Sequence, residues 1–370
     1  MEIKISKYQL FSLMVMLPYA TAALYFLTPE LQQDVWIGIL IYILPGIALQ
    51  YIYISLFKKY PKDTLATYMP KILGKFLGSL VSITYIVYFA YIAARDLRDF
   101  VELLLNDVMA YMPPAVIYIS IMATVTYGLY KGFENIARVA GMGILIFIIF
   151  LILEITFLLI TPHATHFKNL LPLVENGFVD IIKKGWPLVA FPYGETVAFT
   201  MLYSYVNQPE KVKNVAYISI IVEGILLCIV NIVFIISLGA KYASLTLFPH
   251  ILAMRLIKFG GFVNRFDILV IILMIYGAFF KISILTYVSM LGTTQLLKLK
   301  DTKVLVIPFC IIITIASVLL ARNYPQHIKL GLDFTVKYIH IPIQIVIPSI
   351  TLIVCCVKRW IFKNNQLTNS

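Results

Sequence analysis

Apolar stretches of about twenty residues recur along this 370-residue sequence and leave little chain for anything else. A helix needs about 20 apolar residues to cross a bilayer, and in lipid only helices and closed barrels satisfy their own backbone. Charged residues make up 13% of the chain, whereas a soluble domain carries about 25%. The sequence therefore predicts an all-α integral membrane protein, a single transmembrane domain over residues 1–370.

Ten segments are predicted to cross the membrane. They are 8–28, 35–57, 77–97, 113–130, 135–160, 178–205, 214–238, 266–292, 304–321 and 340–360. Seventeen Lys and Arg residues fall on the side that holds both termini and twelve on the other, and Lys281 lies within a segment. Because basic loops tend to stay in the cytoplasm, both termini are predicted to be cytoplasmic.

The basic balance of the chain, a formal net charge of +12, does not point to nucleic acid. The basic residues lie in short loops between apolar segments, where they orient the protein and contact lipid headgroups. The four cysteines lie inside apolar segments, and no metal-ligand spacing, phosphate loop or nucleophile elbow occurs. The sequence predicts neither an enzyme nor a bound metal or cofactor.

Two of the ten segments contain helix-breaking residues. The first contains Pro18, and the sixth contains Pro187, Pro192 and Gly194. Proline removes a backbone donor and clashes with the preceding turn, while glycine permits unusual dihedral angles. Interrupted helices five spans apart are typical of an inverted five-helix repeat with a central site. For Pro18, a simple kink is the competing interpretation.

Several motifs together resemble one known family. They are Asn169-Leu170-Leu171-Pro172 with Gly177, then Phe191-Pro192-Tyr193-Gly194-Glu195, the linker Lys131-Gly132-Phe133-Glu134-Asn135-Ile136-Ala137-Arg138, and Arg98-Asp99-Phe100-Val101-Glu102. This set resembles the B subunits of GerA-type spore germination receptors, a spore germination permease family. The resemblance covers essentially the whole chain in length and helix order.

The resemblance implies the LeuT-like fold of amino acid/polyamine/organocation transporters. That fold has five-plus-five inverted repeats, here about 8–160 and 178–360, with the first and sixth helices broken. The resemblance also implies an A-type membrane subunit and a C-type lipoprotein as partners in the inner membrane of the endospore. The implied function is to bind a small nutrient germinant, such as an amino acid, and trigger germination. The alternative is an active permease for amino acids or similar small solutes.

The predicted ligand site combines the two breaks with one tyrosine of the third segment. Its residues are Pro18, Tyr19, Ala20, Thr21, Tyr88, Phe191, Pro192, Tyr193, Gly194 and Glu195. The first break has no glycine, unlike the usual form in the family, which argues against a close backbone cradle for a carboxylate. Glu195 is interpreted as a gate or ligand contact, or as a cap on the second half-helix. Tyr88 is interpreted as pocket lining or as packing.

Three more ionisable residues, Lys281, Glu154 and Glu223, fall inside apolar segments and are predicted to act in coupling or gating. The resemblance suggests that the Lys281 ammonium replaces a sodium ion between the first break and the eighth helix. The alternative is a structural ion pair with one of the two glutamates. Each glutamate is interpreted as a proton-coupling group or as an acid hydrogen-bonded within the bundle.

A cluster of charged residues lies at the C-terminal end of the third predicted segment. It comprises Arg95, Asp96, Arg98, Asp99 and Glu102. Spacings of three and four predict ion pairs within one helix, and the cluster is interpreted as a solvated helix end or as a docking point for an external partner. The histidines are interpreted as surface residues; they are His163, His166, His250, His327 and His340.

Overall fold

The computed structural model describes residues 4–258 and 265–368. In these two stretches the regular structure is helical, and β-type pairing is limited to one parallel bridge between Ile5 and Val206. The α-helices are α1 (Lys7–Ala22), α2 (Val35–Lys59), α3 (Leu65–Leu73), α4 (Lys75–Asp107), α5 (Pro114–Lys131), α6 (Phe133–Ile160), α7 (Phe178–Lys184), α8 (Pro187–Ala190), α9 (Val212–Leu238), α10 (Ala240–Leu245), α11 (Pro249–Met254), α12 (Phe266–Leu296), α13 (Val306–Leu319), α14 (Tyr324–Lys329) and α15 (Ile347–Thr368). Short 3₁₀ helices span Pro29–Asp34, Phe167–Leu170, Tyr193–Met201, Tyr203–Tyr205, Pro209–Lys211 and Thr302–Leu305.

Seven helices in the described stretches are long and apolar enough to cross a membrane. They are Pro29–Lys59, Lys75–Asp107, Phe133–Ile160, Pro209–Leu238, Phe266–Leu296, Thr302–Leu319 and Tyr324–Ile361. Of the other three predicted segments, α1 has only 16 residues, segment 178–205 is broken, and α5, with 18 residues, is long enough but is not among the seven. The helical membrane class is confirmed, and the count of ten crossings stays a prediction.

The first segment is interrupted, but later than the sequence predicts. α1 continues through Pro18 and ends at Ala22, so residues 17–21 are helical. One proline removes one hydrogen bond from a helix, and the burial of α1 within the bundle offsets that loss. The chain then leaves the helix before Pro29, and Thr28 adopts a positive φ of 44°.

The sixth segment is broken as predicted. α8 has only four residues, Phe191 is extended (φ −129°, ψ 113°), and the chain then forms the 3₁₀ helix Tyr193–Met201. Neither Pro187 nor Pro192 has an N–H to give to a helix, and each also crowds the turn before it. With two prolines this close together, a continuous α-helix cannot form here.

The last segment contains a 17-residue π-helix, Leu330–Val346, between α14 and α15. Most π-helices are single-turn bulges, so this length depends on support from outside the segment. Three tyrosines of α4 provide contacts: the Tyr85 hydroxyl donates to the Ile343 carbonyl (2.6 Å), the Tyr88 hydroxyl lies 2.7 Å from His340 Nδ1, and the Tyr91 hydroxyl lies 2.8 Å from Thr335 Oγ1. The tyrosine stripe of α4 therefore packs against the π-helix.

α1 lies at the centre of the bundle, against α6, α9 and α12. Every residue from Ser12 to Leu24 is buried. α12 in turn packs along α4 more extensively than any other described pair of helices. Polar side chains at the junction of α1, α4 and α12 are therefore enclosed by protein.

Candidate functional site

Lys281 of α12 lies at this junction, with its side chain fully buried. Its ammonium lies 2.7 Å from Glu195 Oε2 and donates a hydrogen bond to Thr21 Oγ1 in the last turn of α1. Asp96 Oδ1 of α4 lies 3.5 Å from the same nitrogen. Lys281 therefore connects the end of the first segment, the break in the sixth and the third predicted segment. Its carboxylate partners are Glu195 and Asp96, rather than Glu154 or Glu223 as the alternative interpretation held.

The break in the sixth segment places Glu195 against Lys281. Glu195 lies in the first turn of the 3₁₀ helix Tyr193–Met201, where free N–H groups favour a negative charge. The Phe191 ring centroid lies 5.7 Å from the Lys281 ammonium, within the range of a cation–π contact. A buried pair of this kind adds little net stability, but removal of one partner leaves an uncompensated charge in the interior.

A cavity of about 50 Å³ adjoins the Lys281 contacts. Its polar lining consists of Thr21, Tyr25, Arg95, Asp96, Asp99, Glu195 and His340. A cavity of this size holds a few water molecules. Three carboxylates and a guanidinium thus meet inside the bundle, where a charged or strongly polar solute could be bound.

The charged cluster of α4 is not the solvated helix end that was predicted. α4 continues to Asp107, well beyond the predicted end at residue 97, and Arg95, Asp96 and Asp99 are buried. A helix of 33 residues is about 50 Å long, more than the thickness of the hydrocarbon core. The cluster therefore lies within the length of the helix and not at its tip.

The partners within this cluster also differ from the prediction in part. The Arg98–Glu102 ion pair is present at 2.7 Å. Asp99 Oδ1 instead lies 3.0 Å from His327 Nε2, and Arg95 Nη2 donates to the His327 carbonyl at 3.0 Å. The intrahelical spacing could not anticipate these contacts, because His327 comes from α14 on the last segment.

The histidine prediction was wrong for three residues. His250, His327 and His340 are buried, whereas His163 and His166 are exposed. His250 and His340 each have a polar side chain within hydrogen-bonding distance of one ring nitrogen, which compensates for their removal from water. His327 Nε2 lies 3.0 Å from Asp99 Oδ1 without hydrogen-bond geometry. His340 accordingly contacts both Tyr88 and Gln344, whose amide nitrogen lies 3.0 Å from His340 Nδ1.

A wider vestibule of about 420 Å³ lies next to the cavity. Its lining includes Thr28, Glu30, Lys183, Lys184, Trp186, Asp333 and Lys337. Phe191, Leu332 and Val336 line both spaces, so these three apolar side chains lie where the two spaces adjoin. Phe191 belongs to the broken sixth segment, and Leu332 and Val336 belong to the π-helix.

The cavity brings together three of the ten predicted ligand-binding residues, Thr21, Phe191 and Glu195. The other side chains in the prediction pack elsewhere. The Tyr193 hydroxyl donates to the Ile39 carbonyl at 2.8 Å, and the Tyr19 ring meets Phe147 edge-on at 4.5 Å.

The remaining predicted residues are buried near the cavity but do not line it. Tyr88 is hydrogen-bonded to the π-helix, Gly194 packs against Gln344, and Ala20 packs against Gly277. Pro18 and Pro192 are also buried. Their contribution is to set the path of the backbone around Thr21 and Glu195.

The two other intramembrane acids have contrasting surroundings. Glu154 Oε2 lies 3.0 Å from His250 Nε2, so the bundle-facing interpretation fits its geometry. Glu223 is fully buried, and in the described part of the chain neither of its carboxylate oxygens has a hydrogen-bond partner. A coupling role for either residue stays a prediction.

Sequence reasoning missed Arg95, Asp96, Asp99 and His340 as cavity residues. A signal for the first three was present. Tyr85, Tyr88, Ile92, Arg95 or Asp96, and Asp99 follow one another at spacings of three and four, which places them on one face of a helix. The tyrosine stripe and the charged cluster are thus one continuous surface of α4.

Comparisons with known sequences agree with one another. A sequence model of the family described as spore germination protein matches residues 4–325. Spore germination protein KB of Bacillus subtilis (strain 168) is 32% identical over 363 residues, which cover 96% of this chain and 95% of that protein. Spore germination protein GerQB of Bacillus cereus is 21% identical over 348 residues, which cover 92% and 95%.

The fold also has a counterpart among solved structures. A Na⁺-coupled sialic acid symporter in a substrate-bound, outward-open state matches with a TM-score of 0.62 and 12% identity. The match covers 92% of this chain and 77% of the symporter. This likeness confirms the predicted LeuT-like helical fold and carries no information on ligand. The repeat boundaries at 8–160 and 178–360 stay a prediction.

Proposed function

The chain belongs to the spore germination protein family, and from that premise we propose that it is the ligand-binding membrane subunit of a spore germinant receptor. It binds a small nutrient germinant in the cavity beside Lys281. Binding there triggers germination through partner subunits. The chain acts by binding and conformational change, and not as an enzyme.

One observation carries the proposal: a charged cavity adjoins a vestibule, and Phe191, Leu332 and Val336 line both spaces. Binding sites are concave, with a few polar groups that converge on the ligand. Intramembrane ionisable residues are costly to keep, which makes a functional role the default for such a cluster. The vestibule gives a solute a place to approach from, and the cavity gives it charged partners.

The signal follows from a shift between two conformations. A ligand shifts an equilibrium only by the difference between its affinities for the two states. Lys281 joins segments on both sides of the cavity through Thr21, Glu195 and Asp96. A ligand that contacts any of these groups alters the balance that holds the first, third, sixth and eighth predicted segments together.

The proposal includes a setting for the receptor. The chain resides in the inner membrane of the endospore with both termini cytoplasmic. There it assembles with an A-type membrane subunit and a C-type lipoprotein, and lipid headgroups contact its basic loops. The ligand reaches the vestibule from the outer side of that membrane.

The test combines spores with purified protein. Spores that carry Lys281→Met or Phe191→Ala are expected to lose the nutrient response that this chain supports, while Lys298→Met, at an exposed lysine, leaves it intact. Immunoblots of spore membranes must show equal amounts of each variant. Normal responses from both cavity variants would contradict the proposal.

A second arm separates the receptor from an active permease for amino acids or similar solutes. The purified chain is reconstituted alone in liposomes and supplied with labelled germinant on one side. The receptor proposal expects saturable binding without accumulation inside the liposomes. Sustained uptake by the chain alone, abolished by Lys281→Met, would favour the permease.

A further inference from the structure

We propose that Arg95 and Asp96 of α4 recognise the two charges of a small zwitterionic ligand, with its ammonium at Asp96 and its carboxylate at Arg95. The proposal rests on the function given above and adds the residues that determine specificity. Both residues line the cavity beside Lys281 and both are buried. The sequence places them outside the two helix breaks, on the third predicted segment.

Asp96 has an unused oxygen. The carboxylate is 4% exposed, and in the described part of the chain Oδ2 has no hydrogen-bond partner. Its Oδ1 lies 3.5 Å from the Lys281 ammonium, beyond the usual 2.7–3.2 Å of an N–H···O hydrogen bond. Lys281 is much closer to Glu195, at 2.7 Å. Asp96 is therefore a buried anion without a close donor, which a ligand ammonium would supply.

Arg95 supplies the complementary charge. Its Nη2 donates to the His327 carbonyl, and its guanidinium carbon lies 6.0 Å from the centre of the Tyr91 ring. A guanidinium has five N–H donors in a planar fork that fits a carboxylate with two parallel hydrogen bonds. Gly331 leaves room for this group, because a Cβ there would come 2.1 Å from Nη2. The guanidinium thus has donors to offer on the cavity side.

Four backbone N–H groups at the breaks are already bonded within the chain. At the end of α1, the Ala23 N–H donates to the Tyr19 carbonyl and the Leu24 N–H to the Thr21 carbonyl, both at 3.0 Å. In the sixth segment, the N–H groups of Phe191 and Glu195 donate to the carbonyls of Pro187 and Pro192. These four groups are not free to hold a carboxylate, whereas the Arg95 guanidinium is a charged donor that lines the cavity.

The cavity also restricts the rest of the ligand. At about 50 Å³ it favours a small ligand, and Phe191, Leu332 and Val336 line it on the vestibule side. A sugar or nucleoside would bring no charge to pair with Asp96 Oδ2 or with Arg95, and an unmatched buried polar group disfavours binding. An inorganic cation would match Asp96 but leave Arg95 unpaired.

The experiment measures binding to the full chain in lipid nanodiscs by titration calorimetry. The probes are glycine, L-alanine, L-serine and L-valine, then L-lactate, which lacks the ammonium, L-alaninamide, which lacks the carboxylate, and glucose and KCl. At least one zwitterion is expected to bind, with the lactate and amide analogues weaker by about thirtyfold or more. Tighter binding of glucose, KCl or a single-charge analogue would overturn the proposal, as would the absence of zwitterion binding.

Variants give an independent check. Asp96→Asn and Arg95→Gln are each expected to weaken zwitterion binding by about thirtyfold or more, while Glu102→Gln on the same helix leaves it unchanged. Unaltered affinity in either cavity variant would overturn the proposal. The ligand panel on the unmodified chain decides the matter if a variant fails to fold.

The two proposals can fail separately. If deletion of the chain abolishes a nutrient response of spores but binding is independent of Arg95 and Asp96, the receptor stands and this inference falls. If zwitterion binding requires both residues but deletion leaves every nutrient response intact, the inference stands and the receptor falls.

Discussion

The first and sixth segments each contain the dipeptide Pro-Tyr, at Pro18-Tyr19 and Pro192-Tyr193, yet only the sixth is broken at that point. α1 continues through Pro18 and ends four residues later, at Ala22. In the sixth segment a second proline, Pro187, precedes the dipeptide, and α8 ends after four residues. One isolated proline is tolerated in a buried helix, whereas two within six positions are not.

The two segments nevertheless converge on the same side chain. Thr21, in the last turn of α1, and Glu195, just after the sixth break, both contact the Lys281 ammonium. One segment offers a hydroxyl at a helix end and the other a carboxylate at a helix start. The comparison shows that both segments reach the Lys281 ammonium, and that the first segment does so without a break at its proline.

The largest loss of stability is expected when Lys281, which contacts both segments, is replaced. Lys281→Met leaves Glu195 and Asp96 as uncompensated buried charges and should reduce the free energy of unfolding by about 3–5 kcal/mol. Chemical unfolding of the full chain in detergent measures this, with Lys298→Met as the exposed control. Adding Glu195→Gln to Lys281→Met should restore part of the loss. Equal stability of Lys281→Met and its control would mean that the two segments are not joined here.

A smaller loss of stability is expected when a methyl group is added at Gly194 of the sixth segment or at Gly277, which faces Ala20 of α1. A Cβ at Gly194 would lie 2.1 Å from Gln344 Oε1, whereas a Cβ at Gly277 would lie 3.0 Å from Ala20 Cβ of α1. Gly194→Ala should therefore reduce stability by about 1–3 kcal/mol, and Gly277→Ala by less. The same unfolding assay compares the two, and a reversed order would contradict the packing described for the sixth segment.

Restoring a backbone donor should distinguish a tolerated proline from a necessary one. Pro18→Ala returns one hydrogen bond to the interior of α1 and should raise the free energy of unfolding by about 1 kcal/mol. Pro308→Ala, in the first turn of α13, is the control, because N–H groups in a first turn have no partner within the helix. A loss of stability in Pro18→Ala would show that α1 depends on its proline.

The smallest effect on stability is expected at Glu223, a buried acid that has no hydrogen bond in the described part of the chain. Glu223→Gln keeps the shape of a fully buried side chain that forms no described hydrogen bond, so no described contact is lost and the free energy of unfolding should not fall. Glu195→Gln, which weakens the contact to Lys281, should cost clearly more. Equal losses would place an undetected partner at Glu223.

Much of the architecture could be predicted from the sequence, because the bilayer permits few structures. Apolar length identified the helices, and the density of proline and glycine identified the break in the sixth segment. The resemblance to a family placed Lys281 between the first break and the eighth helix. These features depend on local composition or on a shared fold, and both can be read without coordinates.

The composition of the cavity could not be predicted in the same way. Charged residues usually mark the membrane boundary, so Arg95, Asp96 and Asp99 were assigned to the end of a helix that in fact continues to Asp107. Their burial depends on His327, which approaches from the last segment. Such contacts follow from the packing of distant helices, on which local spacing carries no information.

The most direct test is a cryo-electron microscopy map of the complete receptor, with and without its germinant. The account predicts that germinant density appears within the cavity bounded by Thr21, Arg95, Asp96 and Glu195, with its ammonium toward Asp96. It also predicts that Phe191, Leu332 and Val336 lie between the bound ligand and the vestibule. Germinant density in a partner subunit, with this cavity unchanged between the two maps, would contradict the account.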